Sequence, residues 1–426
     1  MDLAYGSTIA VARRGHLGDM LVCLPLVAMV KRQRPDIRIC MVASAYAMPL
    51  LKTCEWVDEV LEDQSVIDDP ALLTRHRVDA FLNPLSDVPL AKAAYLAKVP
   101  LRIGDVERIK AARWCNRFVW SRRKWSALHE AQIILRHLRP LGLDGRLTLS
   151  ELKALVRLSR VSPLDESLRQ RLDGTAFNLV IHPKSRKNGR EWPARHFLRL
   201  VQLLDGAPVR ILLTGMDCER GELSAECPEL LRHPNVDMLM GATEPAQLIA
   251  LIAHADGLVA SGTGPLHIAA ALGIHALGLF PRRASIDARR WHPLGQKAEA
   301  LQLPGSCVFP MNTCERKGGQ QNCRCMLGIT PEQVAARVQC WMALRAQQHK
   351  QLPDPIAPGI PANTALAELS PGCRGISAIL SHGRSHARSP SSSPAGSAPA
   401  SASAGRHSAV SPQRPWRRSS PSGCLR

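Results

Sequence analysis

The sequence predicts an α/β protein of two domains, each a parallel sheet flanked by helices, followed by a tail with no fold signal. Three observations predict it. Short apolar runs alternate with helical stretches over residues 8–104, the same rhythm restarts near residue 178 after a polar break, and the last 76 residues lose all periodicity. A chain of 426 residues is also longer than one hydrophobic core normally organises.

The elements follow in order. Residues 8–12 (Thr-Ile-Ala-Val-Ala) read as a buried strand, residues 19–34 as one helix ending at Pro35, and residues 37–43 as a second strand. Residues 79–83 and 101–104 read as further short strands. Strands alternating with helices imply parallel βαβ units. The stretch 102–136 is polar and basic, carries Trp114, Trp120 and Trp125, and fits βαβ poorly; it reads as a loop-and-helix elaboration of the first domain. Residues 159–174, broken by Pro163 and Gly174, mark the boundary. Strands follow at 178–182, 209–214, 257–260 and 276–280. Helices follow from Pro193, at 245–255 and 265–272, and a last amphipathic one at 331–345. The domains are thus 1–165 and 175–346.

Residues 351–426 are rich in Ser, Pro, Ala, Gly and Arg. Such a segment cannot bury enough apolar surface to offset its conformational entropy, so a disordered tail is expected.

The formal net charge is +19, of which the tail holds +6. A basic body favours anionic partners: nucleic acid, an acidic membrane face or a phosphorylated glycan. Neither an RNP-like aromatic motif nor zinc-finger spacing is present, so nucleic acid is not expected. The 13 cysteines are scattered in a long chain, unlike a secreted disulfide scaffold. The apolar run 20–30 is closed by Lys31-Arg32 without a cleavage site. It reads as a folded helix and is too short to span a bilayer, so a cytoplasmic protein is expected. Cys307, Cys314, Cys323 and Cys325 lack the paired C-x-x-C knuckles of structural zinc, and no metal is assigned to them.

Three constellations carry chemistry. The first, Arg13-Arg14-Gly15-His16-Leu17-Gly18-Asp19, runs from the first strand into the first helix. Gly15 and Gly18 permit a tight turn and close approach. Asp19 is either a general base for a sugar hydroxyl or a helix-start carboxylate favoured by the helix dipole. No second carboxylate stands near it in sequence, which argues against hydrolase-type acid/base pairing. The second constellation spans residues 182–193, from a strand end to Trp192-Pro193, with Pro193 as the first helical position. Lys184, Arg186, Lys187 and Arg190, with Ser185, form either an anion clamp or a solvated basic loop. Ligands of open α/β sheets bind at this edge. Trp192 reads as a packing anchor.

The third constellation is Ser261-Gly262-Thr263-Gly264-Pro265-Leu266-His267, between a strand and a helix. Small residues there bare backbone N–H groups at a helix N-terminus, a ready diphosphate site. Thr263 adds a hydroxyl. His267 is either a ligand contact or a satisfied packing histidine.

In order and spacing, these segments resemble the family 9 glycosyltransferases, the heptosyltransferases of lipopolysaccharide core assembly. The resemblance covers about residues 8–345. It rests on Gly15 to Asp19 with Leu24-Pro25, on Ser185, Lys187 and Arg190 to Pro193, on the strand and glycine at 211–215 with Glu219, and on Gly262 to Ala271. It implies a GT-B architecture, in which two Rossmann-like domains face a central cleft. It also implies an inverting reaction without a metal or other cofactor, with Asp19 as general base. The donor, a nucleotide-diphosphate sugar, would be held by Lys184, Ser185, Lys187, Arg190, Gly262, Thr263, Gly264 and His267. Gly15 and Gly18 would lie on the acceptor side.

The implied acceptor is an anionic glycan or glycolipid, reached by peripheral contact with the inner membrane face. One position departs from the family pattern: an acidic residue usually precedes Thr-Gly, and this chain has Gly262. That carboxylate is expected to help hold the donor sugar, so the change bears on which sugar is accepted. Two alternatives are another GT-B enzyme, such as a nucleotide-sugar 2-epimerase, and a non-catalytic basic module binding glycan or nucleic acid.

Overall fold

The computed structural model describes residues 3–186, 189–307 and 323–351. Lys187, Cys314 and the tail after Gln351 lie outside the described residues.

Twelve strands form two sheets among the described residues. The first contains β1 (Thr8–Ala12), β2 (Arg38–Ala43), β3 (Glu59–Glu62), β4 (Val78–Asn83), β5 (Leu101–Asp105) and β6 (Arg117–Val119), in the order β3-β2-β1-β4-β5-β6. The second contains β7 (Phe177–His182), β8 (Val209–Leu213), β9 (Val236–Met238), β10 (Gly257–Ser261), β11 (His275–Phe280) and β12 (Ala298–Gln302), in the order β12-β11-β10-β7-β8-β9. All pairings are parallel. Both sheets are therefore doubly wound with the same topology. Each reverses direction beside its first strand, between β1 and β4 and between β7 and β10. A crevice opens at such a switch point, at the carboxyl ends of the strands.

The central strands β1, β7 and β10 are buried throughout and rich in Val, Ile, Leu and Ala, as suits strands covered on both faces. Four strands are additions to the sequence reading: β3, β6, β9 and β12. Each lies at a sheet edge, is three to five residues long and is partly exposed, so its apolar signal is weak. β6 also corrects the reading of residues 102–136, because β5, the helix Ile109–Ala112 and β6 complete a βαβ unit there.

The single helix expected over 19–34 is two helices, α1 (Leu17–Leu21) and α2 (Leu24–Gln33). Pro25 is the reason: it has no N–H for the carbonyl of Leu21, and its ring would crowd that turn. α1 ends at Leu21, and the chain turns through Val22 and Cys23 before Pro25 sits in the first turn of α2, where a proline is tolerated. Likewise Pro193 caps the helix Ala194–Leu203 rather than opening it.

Both sheets belong to one compact unit. Its largest core cluster crosses from one sheet to the other: Leu17, Met20 and Leu21 of α1 belong to the same cluster as Leu266, Ala269 and Ala270 of the helix Gly264–Leu272. Leu158, in the connecting segment, donates its N–H to Ala271 O at 3.1 Å, and the Asp165 N–H goes to the Gln247 side chain at 2.9 Å. The final helix, Pro331–Gln351, closes the second sheet's far face through Trp341, whose ring stacks on His275 at 5.0 Å.

Candidate active site

The loop after β1 positions Asp19 in the first turn of α1. Its Oδ1 accepts from Arg13 Nη2 at 2.5 Å and its Oδ2 from the His16 backbone N–H at 2.9 Å. Gly15 makes room: a Cβ there would lie 2.7 Å from Asp19 Oδ2. Burial alone would raise the Asp19 carboxyl. The Arg13 guanidinium and the His16 N–H outweigh it and hold the group below its ordinary value. Asp19 is therefore a fixed, ionised carboxylate, with 22% of its side chain still exposed.

Arg13 leads to a residue absent from the motif reading. Glu130, wholly buried, takes Arg290 Nε at 2.8 Å, pairs with Arg123, and lies 3.8 Å from Arg13 Nη1. The sequence showed no second carboxylate near Asp19; the structure brings Glu130 to the arginine that holds it. Glu130 lies beyond the reach of local sequence, and three arginines hold it, so it does not make an acid/base pair of the hydrolase kind. Arg290 comes from the helix Ala288–Trp291 of the second domain, so this cluster also ties the two domains together.

On the second domain, β10 ends at Ser261 and the helix Gly264–Leu272 starts two residues on, with Thr263 as its N-cap. Thr263 Oγ1 makes no capping bond and is buried with no hydrogen-bond partner among the described residues. A buried hydroxyl in that state marks a place where a ligand can complete the bonding. The helix N-terminus adds its free N–H groups.

This corner and α1 meet. A Cβ on Gly264 would stand 3.0 Å from Leu17 Cβ, and one on Gly18 would stand 3.1 Å from His267 Cδ2. Two helix N-termini, one bearing Asp19 and one bearing Thr263, thus abut across the domain junction, and glycines set the closeness. His267 is buried beside Trp291, with ring centroids 6.4 Å apart, and burial pushes it down to about 4. It is a neutral imidazole, and the Asp19 charge acts on it in the opposite sense.

The basic loop after β7 lies beside the same corner. Ser261 Oγ accepts the Trp192 N–H at 3.0 Å, and Gly189 comes against the Gly262 carbonyl. The cations of this loop are not equivalent. Lys184 is buried and engaged by Glu191 and Glu226 at 2.9 Å each and by Glu222 at 3.5 Å. Burial would lower its ammonium; the Glu191 and Glu226 carboxylates overcome that and raise it. Ser185 gives both its N–H and its hydroxyl to Glu191, at 2.8 and 2.9 Å. Lys184 and Ser185 therefore shape the loop through Glu191. Arg190 is largely buried in the same loop. Trp192 is fully buried, and its indole N–H bonds Ile329 O at 2.8 Å, as a packing anchor should.

Gly262 has a steric cause. A Cβ there would lie 2.8 Å from Phe280 Cε1, and Phe280 is 1% exposed in the core. The usual acidic residue would require that ring to move. Of the cysteine group, Cys323 and Cys325 are buried against Met326 in the second core, and Cys314 lies outside the described residues. Among the described residues, no cluster of three or more His, Cys, Asp or Glu side chains could hold a metal ion.

Two doubly wound domains that bring a carboxylate against a helix N-terminus form a GT-B architecture. Comparison with known proteins agrees. Residues 157–312 match the model of glycosyltransferase family 9 (heptosyltransferase). The chain is 24% identical over 299 residues to Escherichia coli lipopolysaccharide heptosyltransferase 3, covering 64% of this chain and 83% of that one. It is 22% identical over 325 residues to the Campylobacter jejuni lipooligosaccharide heptosyltransferase 2, covering 75% and 93%. The solved structure of E. coli ADP-heptose LPS heptosyltransferase II has the same fold, with a TM-score of 0.62 at 19% identity over 80% of this chain and 99% of that one. The chain is a glycosyltransferase similar to the family 9 heptosyltransferases.

Proposed function

We propose that this enzyme transfers heptose or a related sugar from a nucleotide-diphosphate donor to a lipopolysaccharide-core or similar surface-glycan acceptor, with inversion and without a metal. The relatives named above are heptosyltransferases of lipopolysaccharide or lipooligosaccharide, which supports the donor and acceptor classes. The observation that carries the mechanism is the abutment of the Asp19 and Thr263 helix N-termini.

In this reading the donor diphosphate lies on the N–H groups before Gly264–Leu272, with the Thr263 hydroxyl and Arg190 completing its shell. The acceptor hydroxyl oxygen bonds to the anomeric carbon from the face opposite the phosphate. The carbon–oxygen bond to the diphosphate breaks, and the hydroxyl proton passes to Asp19. Arg13 makes Asp19 a weak base, but the attacking hydroxyl becomes strongly acidic only as its bond to carbon forms. A late proton transfer suits a carboxylate that is always ionised. Fixed N–H groups and cations stabilise the departing charge, a contribution that usually dominates. The donor domain would comprise residues 175–346 and the acceptor domain residues 1–165. The enzyme would act in the cytoplasm at the inner membrane face.

The test is transfer from ADP-heptose to a core acceptor with and without chelator, reading the product's anomeric configuration by NMR. An inverted product with unchanged turnover in chelator is expected. A retained configuration, or loss of turnover that added metal restores, overturns the mechanism.

A further inference from the structure

We propose that the segment 106–128 is a docking surface for an anionic phospholipid bilayer, with Trp120 and Trp125 seated among the head groups. The purpose assigned to it rests on the reading above that the acceptor is membrane-held.

The segment folds on itself at the open edge of the first sheet. The Val106 N–H bonds Val119 O at 3.0 Å, and the Glu107 carboxylate accepts the Arg123 N–H at 3.2 Å. In the extended run through β6, Val119 turns inward while Phe118 and Trp120 on either side point out, as period two requires. The chain is poor in aromatics, yet here Trp120 is 63% exposed, and Trp125 and Ile109 are each 80% exposed. Val106, Phe118 and Leu128 of the same segment are exposed as well. Exposed apolar residues gathered this way mark an interaction site.

Cations interleave the rings. The Arg122 guanidinium lies 4.5 Å from the Trp120 centroid, and Lys124 Nζ lies 5.3 Å from that of Trp125. Arg108, Lys110, Arg113 and Arg117 are exposed nearby, against the single acid Glu107. Indole rings with basic side chains suit the head-group zone of a bilayer, and basic clusters are drawn to anionic lipid. Ile109 and Leu128 favour a bilayer over nucleic acid, because an exposed aliphatic chain gains little on a phosphate backbone and much among acyl chains. The inner end of the segment is Arg123, paired with Glu130 in the cluster that reaches Asp19 through Arg13. The docking face thus continues into the side of the site that holds the base.

The test uses the full chain and sedimentation with vesicles of phosphatidylethanolamine and phosphatidylglycerol, compared with phosphatidylcholine alone. Binding to the anionic vesicles is expected, weakening as salt rises, with little on phosphatidylcholine. The double variant Trp120→Ser/Trp125→Ser should lower partitioning about tenfold, and Arg122→Glu/Lys124→Glu at least about tenfold. Both should keep the parent melting temperature, since the changed side chains are exposed. Bromine on the acyl chains should quench tryptophan fluorescence in the parent and lose that part of the quenching in the Trp variant. Equal binding to phosphatidylcholine, or undiminished binding in both variants, overturns the proposal. So does tight binding of a short RNA without vesicle binding. ADP binding by calorimetry reads the transferase reading separately. Normal ADP binding without vesicle binding overturns the docking surface alone. Vesicle binding in a protein that takes no nucleotide supports the surface and overturns the transferase reading.

Discussion

Glu130, in the first domain, receives Arg290 Nε, from the second, at 2.8 Å, in a place wholly shut off from solvent. The same carboxylate pairs with Arg123 and stands 3.8 Å from the arginine that holds Asp19. Domain contact and the placement of Asp19 therefore share one buried charge.

Glu130→Gln should uncouple the two. Three buried or half-buried arginines would lose their common counter-charge, and removing one partner of a buried pair costs about 3–5 kcal/mol. Chemical denaturation should show that loss, and donor binding should weaken as the junction loosens. A variant as stable as the parent would show the cluster to be unimportant.

Arg13→Gln should move the acid limb of the pH–rate profile. With the guanidinium gone, burial is left to raise the Asp19 carboxyl, where it now lies below its ordinary value. Less Asp19 would be ionised at mildly acid pH, so kcat/KM should begin to fall at a higher pH than in the parent. The measurement is kcat/KM against pH for both proteins. An unmoved limb would mean that Asp19 does not set it.

The glycines make a steric prediction. Gly15→Ala places a methyl 2.7 Å from Asp19 Oδ2, so the carboxylate must shift. A displacement of that kind costs about a hundredfold in turnover, with ADP binding kept. Gly264→Val instead presses on Leu17 at the mouth of the phosphate corner and should weaken ADP binding. Calorimetry and steady-state rates separate the two, and a Gly15→Ala enzyme at parental turnover would contradict the geometry.

Stability should fall as pH drops below neutrality. Burial pushes His137, His182 and His267 down to about 4 and His129 to about 3, from an ordinary value of 6.5. The unfolded chain binds protons between those values that the folded chain refuses, so stability is complete above 6.5 and is lost as pH falls towards 4. Each histidine contributes up to about 1.4 kcal/mol per pH unit in that window. Asp19 adds its own loss only below 3.8. Calorimetry in buffers of different ionisation enthalpy should count several protons taken up on unfolding near pH 5; uptake of none would contradict the assigned burial.

The central strands were legible because burial on both faces forces unbroken runs such as residues 178–182 and 257–260. The edge strands were not, since β6 and β9 answer to solvent on one side and carry Arg117 or Asp237 in the run. Asp19, Thr263 and Gly264 could be named from glycine and helix-start chemistry, which is local. Glu130 and Arg290 could not, because 160 residues separate them and neither stands in a pattern. The role of Lys184 was also hidden: it reads as one cation among several in its loop, and only the fold brings Glu222 and Glu226 to it.

The most direct test of the account is Asp19→Asn, which keeps the shape of the side chain and its bond from His16 while removing the charge. Turnover with a nucleotide-sugar donor should be abolished, and ADP affinity should stay within a few-fold of the parent. Near-parental turnover would remove Asp19 from the mechanism and with it the proposed reaction.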